Sequence, residues 1–428
     1  MTHSPRQAIT AKRTLRDSQP LWATTPHISV VSKKHVPLAD YDVVIVGAGI
    51  SGALMANALT DGTRSVLIID RRLPVTGSSM ASTAMIQHEI DIPLRELIGM
   101  IGEKPAGRIW RRSAKAVEEL IELAGDLGIA CSMKRKKTLY LAGDTYGARA
   151  LEMEAAVRRA ERLDAVYLSG QTVRSDFGLD RTGAILSDLS ASANPAQLTA
   201  GILRHVRKRG AEIVSGVEIT DVRSDGDMVH LATAGGKIIG CRHVVFCTGY
   251  EFLDGVAERH HAIISTWAIA SEPNLKLPDW LAHHLVWEGS DPYLYFRTTK
   301  DGRLIAGGED ESDPEAHRSP EKLTRKGALI AEKVGDLLGC KIGKPAFSWA
   351  AAFGTTASGT PIIGEVPGMK HVHAVMGFGG NGITFSKIAA DIVSSAIAGK
   401  PDADAALFGF PKDSGFSGVP IRGLQAAT

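Results

Sequence analysis

Glycine, serine, acidic and aromatic residues recur in this chain at spacings that bear on chemistry. In "DYDVVIVGAGISGALMANAL", which begins at Asp40, an apolar run is followed by Gly47, Gly49 and Gly52 and then by an alanine-rich stretch. A strand, a tight turn and a helix in this arrangement hold a dinucleotide. The first glycine makes the turn, the second lets the backbone approach a pyrophosphate, and the third lets helix and strand pack closely. The phosphates sit at the helix N-terminus, beside Ile50 and Ser51, where backbone N–H groups are free and the dipole is positive. "SVLIID" then reads as a second buried strand and completes a βαβ unit. Asp70 closes that strand, just before Arg71, and can accept hydrogen bonds from the ribose of an adenosine. A carboxylate there repels a 2′-phosphate, which disfavours NADP.

NAD and FAD both satisfy this fingerprint. A second string, Gly377-Phe378-Gly379-Gly380-Asn381-Gly382, also has the G-x-G-x-x-G spacing. No apolar strand follows its helix, so it is not a second dinucleotide fold. A glycine turn at a helix N-terminus, running on through Ile383 and Thr384, suits the N1–C2=O edge of a flavin, which is anionic when reduced. One dinucleotide fold for the ADP half and one late helix N-terminus for the ring together imply FAD. A nicotinamide leaves the second turn without a use, unless it is a plain strand–helix turn.

Other residues admit two readings each. In "YLYFR", Tyr293, Tyr295 and Arg297 alternate onto one strand face. That face either lines a pocket, with aromatics to pack a substrate and a guanidinium to hold an anion, or is an ordinary sheet face. Tyr250 ends "HVVFCTGY" and either faces a site or caps its strand. His88 and Glu89 either orient a substrate or are structural, and Trp349 either stacks near a ring or belongs to the core. Asn381 suits a tight turn. His260-His261 and His283-His284 point apart if on strands, and neither they nor His371 and His373 have Cys or carboxylate partners at ligand spacing. No metal site is expected. Cys131, Cys241, Cys247 and Cys340 form no CxxC pair and no disulfide pattern, so they are expected to be reduced and buried.

Around these residues, helices are expected over 108–127, stopped by Gly128, and over 148–163, a charge-rich stretch with a solvated face. Further helices are expected from Asn194-Pro195 to Lys208 and from Ser319-Pro320 to Gly339. Residues 211–249 read as strands with turns at Asp225-Gly226 and Gly235-Gly236, and 293–306 as a hairpin around "KDG". The 428 residues suffice for two domains. A formal net charge of +2 leaves no basic footprint, so nucleic acid is not expected as a partner. No run suits a transmembrane segment, and residues 1–39 lack a hydrophobic signal core. The expected location is cytoplasmic, with 1–39 as an arm or a basic leader.

Four stretches, in order, resemble the D-amino acid oxidase-like (DAO) family of FAD-dependent oxidoreductases, which includes glycine oxidase, sarcosine oxidase and gamma-glutamylputrescine oxidase. They are "VVIVGAGISGALMANAL" with "VLIIDRR", "GSSMASTAMIQHEID", "VVFCTGY", and "WAAAFGTTASGTPIIG" followed by "GFGGNGITFS". The resemblance implies an α/β fold. A discontinuous Rossmann-like FAD-binding domain would hold residues 40–91, 192–250 and 347–428. A mainly antiparallel α+β substrate domain would hold 92–191 and 251–346. It also implies that Ser78, Ser79, Ser82 and Thr83 pack on the flavin, and that Val217, Thr248 and Gly249 return to the cofactor. Departures from the family pattern carry information too. Phe353 stands where glycine oxidase-like members place an Arg that grips the substrate carboxylate, and Ser358 stands for the usual Asp. Ala351 stands where sarcosine oxidases place the Cys that bonds flavin, so non-covalent FAD is expected. Ile305 stands for a Lys near the flavin, which favours an electron acceptor other than oxygen.

The implied activity is oxidation of the CH–NH bond of a small amine or amino-acid derivative. A hydride passes to flavin N5, and the imine is hydrolysed by water. Oxygen or another carrier then takes the electrons. The protein must orient the C–H bond, keep the site dry and favour the neutral amine. Tyr250, Tyr295, Arg297 and His88 are the side chains expected to assist. Two other readings stay open: a flavoprotein acting on a hydroxy acid, and a FAD-binding redox subunit that needs a partner subunit in a hetero-oligomeric dehydrogenase.

Overall fold

The apolar run after Asp42 becomes the strand Asp40–Val46, in which Val43, Val44 and Ile45 are fully buried. A strand covered on both faces needs no alternation, which is why it reads as a continuous apolar stretch. The computed structural model, which describes residues 10, 12–251 and 261–411, sets this strand inside an eight-stranded sheet. His260, the rest of the N-terminal arm and the tail after Pro411 lie outside the described residues. Asp40–Val46 pairs in parallel with Val66–Asp70 on one side and Ile238–Phe246 on the other. Glu212–Ser215 lies beyond the first. Val372–Met376 and then Ile362–Glu365 lie beyond the second. A hairpin of Ile219–Asp225 and Met228–Thr233 attaches to Ile238–Phe246. Helices Ile50–Leu59, Pro195–Lys208 and Gly382–Ile397 share one core with this sheet.

The second sheet has ten strands and is mainly antiparallel; His284–Glu288 against Lys134–Leu141 is its parallel pair. Its order runs Arg16–Asp17, Phe347–Thr356, His261–Ala270, Leu304–Glu311, Leu294–Thr298, His284–Glu288, Lys134–Leu141, Gly183–Ser192 and Met85–Gln87. Val166–Ser169 also pairs with Gly183–Ser192. The fold is therefore α/β, as expected, and is built on two mixed sheets. The sheets divide the chain differently from the sequence-based domains, however. Met85–Gln87 and Phe347–Thr356, grouped there with the dinucleotide domain, are strands of the second sheet. Both cross because they supply a wall of the cleft between the sheets. Arg16–Asp17 of the arm pairs with the same sheet.

Most helix boundaries follow the expected signals. Asn194 caps Pro195–Lys208 through its side chain, and Ser319 caps Pro320–Leu338, which ends at left-handed Gly339. Helix Glu103–Asp126 starts earlier than expected, because Pro105 is tolerated in a first turn. Helix Ala148–Ala160 departs from a purely solvated reading. Glu154 and Arg158 are buried and paired at 2.7 Å. Glu154 also accepts the N–H groups of Leu94 and Arg95, which open helix Leu94–Ile101. The carboxylate satisfies donors that a helix start leaves unpaired.

The first glycine turn tolerates no side chain. Gly47 has φ +117°, and a Cβ there would drive into the carbonyl oxygen of Cys247. A Cβ at Gly52 would meet the carbonyl oxygen of Gly47 in the same way. Gly47→Ala is therefore expected to cost about 3 kcal/mol or more of stability, read by urea unfolding, and to reduce FAD retained on purification.

Candidate functional site

A cleft of about 460 Å³ runs between the sheets from the first glycine turn to the second. Asp70 fixes one end. Its carboxylate accepts the Ala48 N–H at 2.7 Å and the Arg72 N–H at 2.8 Å. Burial raises its pKa against the pull of those two donors. Each oxygen keeps a free lone pair for a ribose hydroxyl. Ser79 Oγ accepts the Ile50 N–H at 2.8 Å, and the Ser51 and Ser386 hydroxyls meet at 2.7 Å, tying the first helix to the last. Ser78 Oγ, buried on the cleft wall, has no hydrogen-bond partner. Buried Glu251 holds Arg71 and Arg72 and accepts the Arg13 N–H. Val217, Thr248, Gly249, Ser82 and Thr83 complete the wall, whereas Gly52 lies beneath it.

The other end is the Gly379–Asn381 turn ahead of helix Gly382–Ile397. Gly377 and Gly379 both have positive φ. The Gly380 N–H donates to Asp91 Oδ2 at 2.9 Å, and a Cβ on Gly379 or Gly380 would strike that carboxylate. Asn381 Nδ2 donates to the carbonyls of Gln87 (3.2 Å) and Glu89 (2.7 Å). Thr384 Oγ1 donates to the Gln87 carbonyl at 3.1 Å, so this side chain serves the turn and does not line the cleft as expected. Gly382 and Ile383 do line it. The fit to FAD rests on these features together: two glycine turns at helix N-termini, a strand-end carboxylate, and the unpartnered hydroxyl of Ser78 on one continuous wall.

Beyond the second turn, Tyr250, Tyr293 and Tyr295 form an aromatic wall, the last two with ring centroids 5.9 Å apart. A Cβ at Gly307 would overlap the Tyr295 hydroxyl, so glycine there admits the ring. Strand Leu304–Glu311 then bulges. Gly308 pairs with Trp267 and Glu311 with Ser265, leaving Glu309 and Asp310 opposite Thr266 alone. Gly308 has φ +129° and Glu309 φ +58°. A bulge of this kind re-aims side chains. Glu309 turns outward to Lys326 and Lys333, and Asp310 enters the cleft beside Tyr293 and Thr266. Both Asp310 oxygens are buried without a well-formed hydrogen bond. Burial, with nearby Asp91 adding repulsion, pushes its pKa up to about 6. Burial also raises Tyr250, Tyr293, Tyr295 and Asp91, so the tyrosines stay neutral donors. Asp91 is exposed, but into the cleft.

Two expected catalytic residues are elsewhere. Arg297 does share a strand face with Tyr295, pairing with Ile305 as Tyr295 pairs with Gly307. Yet it is 2% exposed, and its guanidinium donates to the carbonyls of Thr83 (2.7 Å), Ala193 (2.9 Å) and Thr298 (3.2 Å) over the Trp22 ring. It is a structural cation and no anion grip. His88 is buried off the cleft, with Nδ1 2.8 Å from the Leu189 carbonyl oxygen and its ring edge-on to Trp110. Trp349 belongs to the core and donates to the Ala81 carbonyl at 2.8 Å. Phe353 and Ala351 line the cleft, and Ile305 does not. Cys131, Cys241 and Cys247 are buried thiols, and Cys340 is partly exposed. No group of three His, Cys, Asp or Glu suited to a metal occurs among the described residues.

Asp91 and Asp310 were missed by sequence reasoning. Asp91 ends the serine-rich segment and carried no distinguishing spacing. Asp310 was hidden by the bulge, because regular alternation through Ile305 and Gly307 sends Glu309 inward. The Gly307-Gly308 pair was the available signal.

An ADP-type βαβ unit and a second helix N-terminus on one cleft, closed by a mainly antiparallel sheet, are the features of a flavin-dependent oxidoreductase. Residues 42–396 match the DAO family, described as FAD dependent oxidoreductase, and the chain belongs to that family. It is 23% identical over 398 residues to the probable oxidoreductase OrdL of Haemophilus influenzae, covering 90% of this chain and 89% of that one. Among solved structures, glycine oxidase from Geobacillus kaustophilus superposes with TM-score 0.73 at 20% identity, covering 88% of this chain and 99% of the other. L-amino acid deaminase from Proteus vulgaris gives TM-score 0.72 at 15% identity, covering 90% and 100%. Among the described residues no helix is long and apolar enough to cross a membrane.

Two outcomes follow from the buried charges. Arg297→Met strands three carbonyls and should lower stability by on the order of 3 kcal/mol in urea unfolding, with KM unaltered in whatever enzyme remains folded. Asp310 has a folded pKa near 6, above its ordinary 3.8. The folded state therefore holds the extra proton between those values, and stability falls as pH rises through them. Asp310→Asn should raise stability at about pH 7 by on the order of 1–3 kcal/mol, a gain that vanishes near about pH 4. Urea unfolding at both pH values reads it.

Proposed function

We propose that this protein oxidises the CH–NH bond of a small amine or amino-acid derivative, using FAD held without a covalent bond. One observation carries the reading. A single cleft joins Asp70 and the first glycine turn to the Gly379–Asn381 turn and then to the wall of Tyr250, Tyr293 and Tyr295. Asp70 would hold the ribose, Ser78 and the start of helix Ile50–Leu59 the phosphates, and the Gly379–Asn381 turn the edge of the ring. FAD, when bound, supplies the hydride acceptor.

The chain's own residues orient the substrate and exclude water. The tyrosine rings present flat apolar faces, and their neutral hydroxyls offer hydrogen bonds that position a C–H bond. Ala351 offers no nucleophile to a flavin. Cys247 also reaches the wall, but burial keeps its thiol protonated. Two structural neighbours, a glycine oxidase and an L-amino acid deaminase, support an amine or amino-acid substrate. Arg297 is not on the cleft wall, so it grips no substrate carboxylate, whether of a hydroxy acid or of an amino acid. Among the described residues no lysine lines the cleft, which supports an electron acceptor other than oxygen.

The test is an anaerobic titration of the FAD-loaded protein followed by flavin absorbance. The panel contains N-methyl amino acids, D- and L-amino acids, diamines and hydroxy acids. Bleaching by an amine and slow recolouring in air is the expected result. Bleaching by hydroxy acids alone would overturn the reading, and so would a preparation that takes up no flavin. Turnover by the isolated chain would exclude the need for a partner subunit.

A further inference from the structure

The substrate end of the cleft has an uncompensated negative charge. Asp91 and Asp310 both face it, and neither is paired with a lysine or arginine among the described residues. The cation that acts on Asp310 from behind the sheet, Lys326, is engaged by Glu309 and Glu311. The arginines on the wall, Arg71 and Arg72, sit at the ADP end and are held by Glu251. Phe353 adds an apolar surface. The Asp310 carboxylate, buried beside Tyr293 without a counter-ion and with Asp91 open to the same cleft, is costly, and a bound cation removes that cost. Aromatic faces add to the attraction for a positive charge. An amino-acid carboxylate in the same place would meet like charge.

The chemistry narrows this further. A carboxylate that holds an ammonium also stabilises its proton. The nitrogen next to the oxidised C–H bond must be neutral, so that its lone pair can support loss of hydride. The nitrogen held by Asp91 and Asp310 is therefore a different one. We propose that the substrate carries a second, positively charged nitrogen, apart from the C–N bond that is oxidised, and that Asp91 and Asp310 hold it within the tyrosine wall. The substrate is then a diamine or a comparably cationic amine, and not an amino acid. This rests on the amine-oxidation reading above, but the recognition half can be measured without turnover.

The experiment uses the full-length, FAD-loaded protein. Calorimetry compares tetramethylammonium, which has no nitrogen lone pair to oxidise from, with acetate. Tetramethylammonium is expected to bind and acetate not to. Asp310→Asn should weaken the cation at least about tenfold, with Asp91→Asn as the second variant. Anaerobic reduction then compares 1,4-diaminobutane with n-butylamine and glycine. The diamine should reduce the flavin at least about tenfold faster than the monoamine at limiting concentration, and Asp310→Asn should close the gap. The inference is overturned if tetramethylammonium does not bind, if acetate binds more tightly, if both variants leave tetramethylammonium affinity unchanged, or if glycine is the faster reductant. Cation binding with no reduction by any amine would leave the charge recognition standing and sink the oxidation reading instead.

Discussion

The hydrogen bonds from the Gly379–Asn381 turn to the segment around Met85–Gln87 hold the site together. Asn381 and Thr384 are spent on the carbonyls of Gln87 and Glu89, and Gly380 on the carboxylate of Asp91. These contacts lock the N-terminus of the last helix against a strand of the other sheet. The first glycine turn, whose helix packs on that last helix and touches it through Ser51 and Ser386, is thereby fixed relative to the tyrosine wall.

The same arrangement blurs the domain division. Arg16–Asp17, Met85–Gln87 and Phe347–Thr356 come from distant parts of the sequence and meet in the second sheet. Met85–Gln87 follows the βαβ unit in the chain, and Phe347–Thr356 leads into Ile362–Glu365 of the first sheet. The dinucleotide half is therefore not a module that could be cut out and expected to fold, because its exit strands are structural members of its neighbour.

How much was legible in the sequence depended on whether a feature was local. The βαβ unit, the capped helices after Asn194 and Ser319, and the second glycine turn were readable because caps, turns and buried strands leave signatures within a few residues. Arg297 was placed on the right face but given the wrong partner. Face comes from the two-residue period of a strand, whereas the acceptors, Thr83 and Ala193, come from remote segments. His88 failed for the same reason, since its environment is set by Leu189 and Trp110. Glu154 and Arg158 look like surface charges until helix Leu94–Ile101 is placed over them. Asp310 was lost to one extra residue in a strand, a change that reverses every facing beyond it.

That extra residue has an evolutionary consequence. Glu309 and Asp310 are adjacent acids with opposite duties, one tied to the lysines of helix Pro320–Leu338 and one turned into the cleft. Substitution can remove either charge, but only a one-residue deletion or insertion exchanges which neighbour faces inward. The lining of this pocket is thus open to abrupt change by slippage in chain length, and relatives of this fold can differ in what they admit while their strand residues look almost the same.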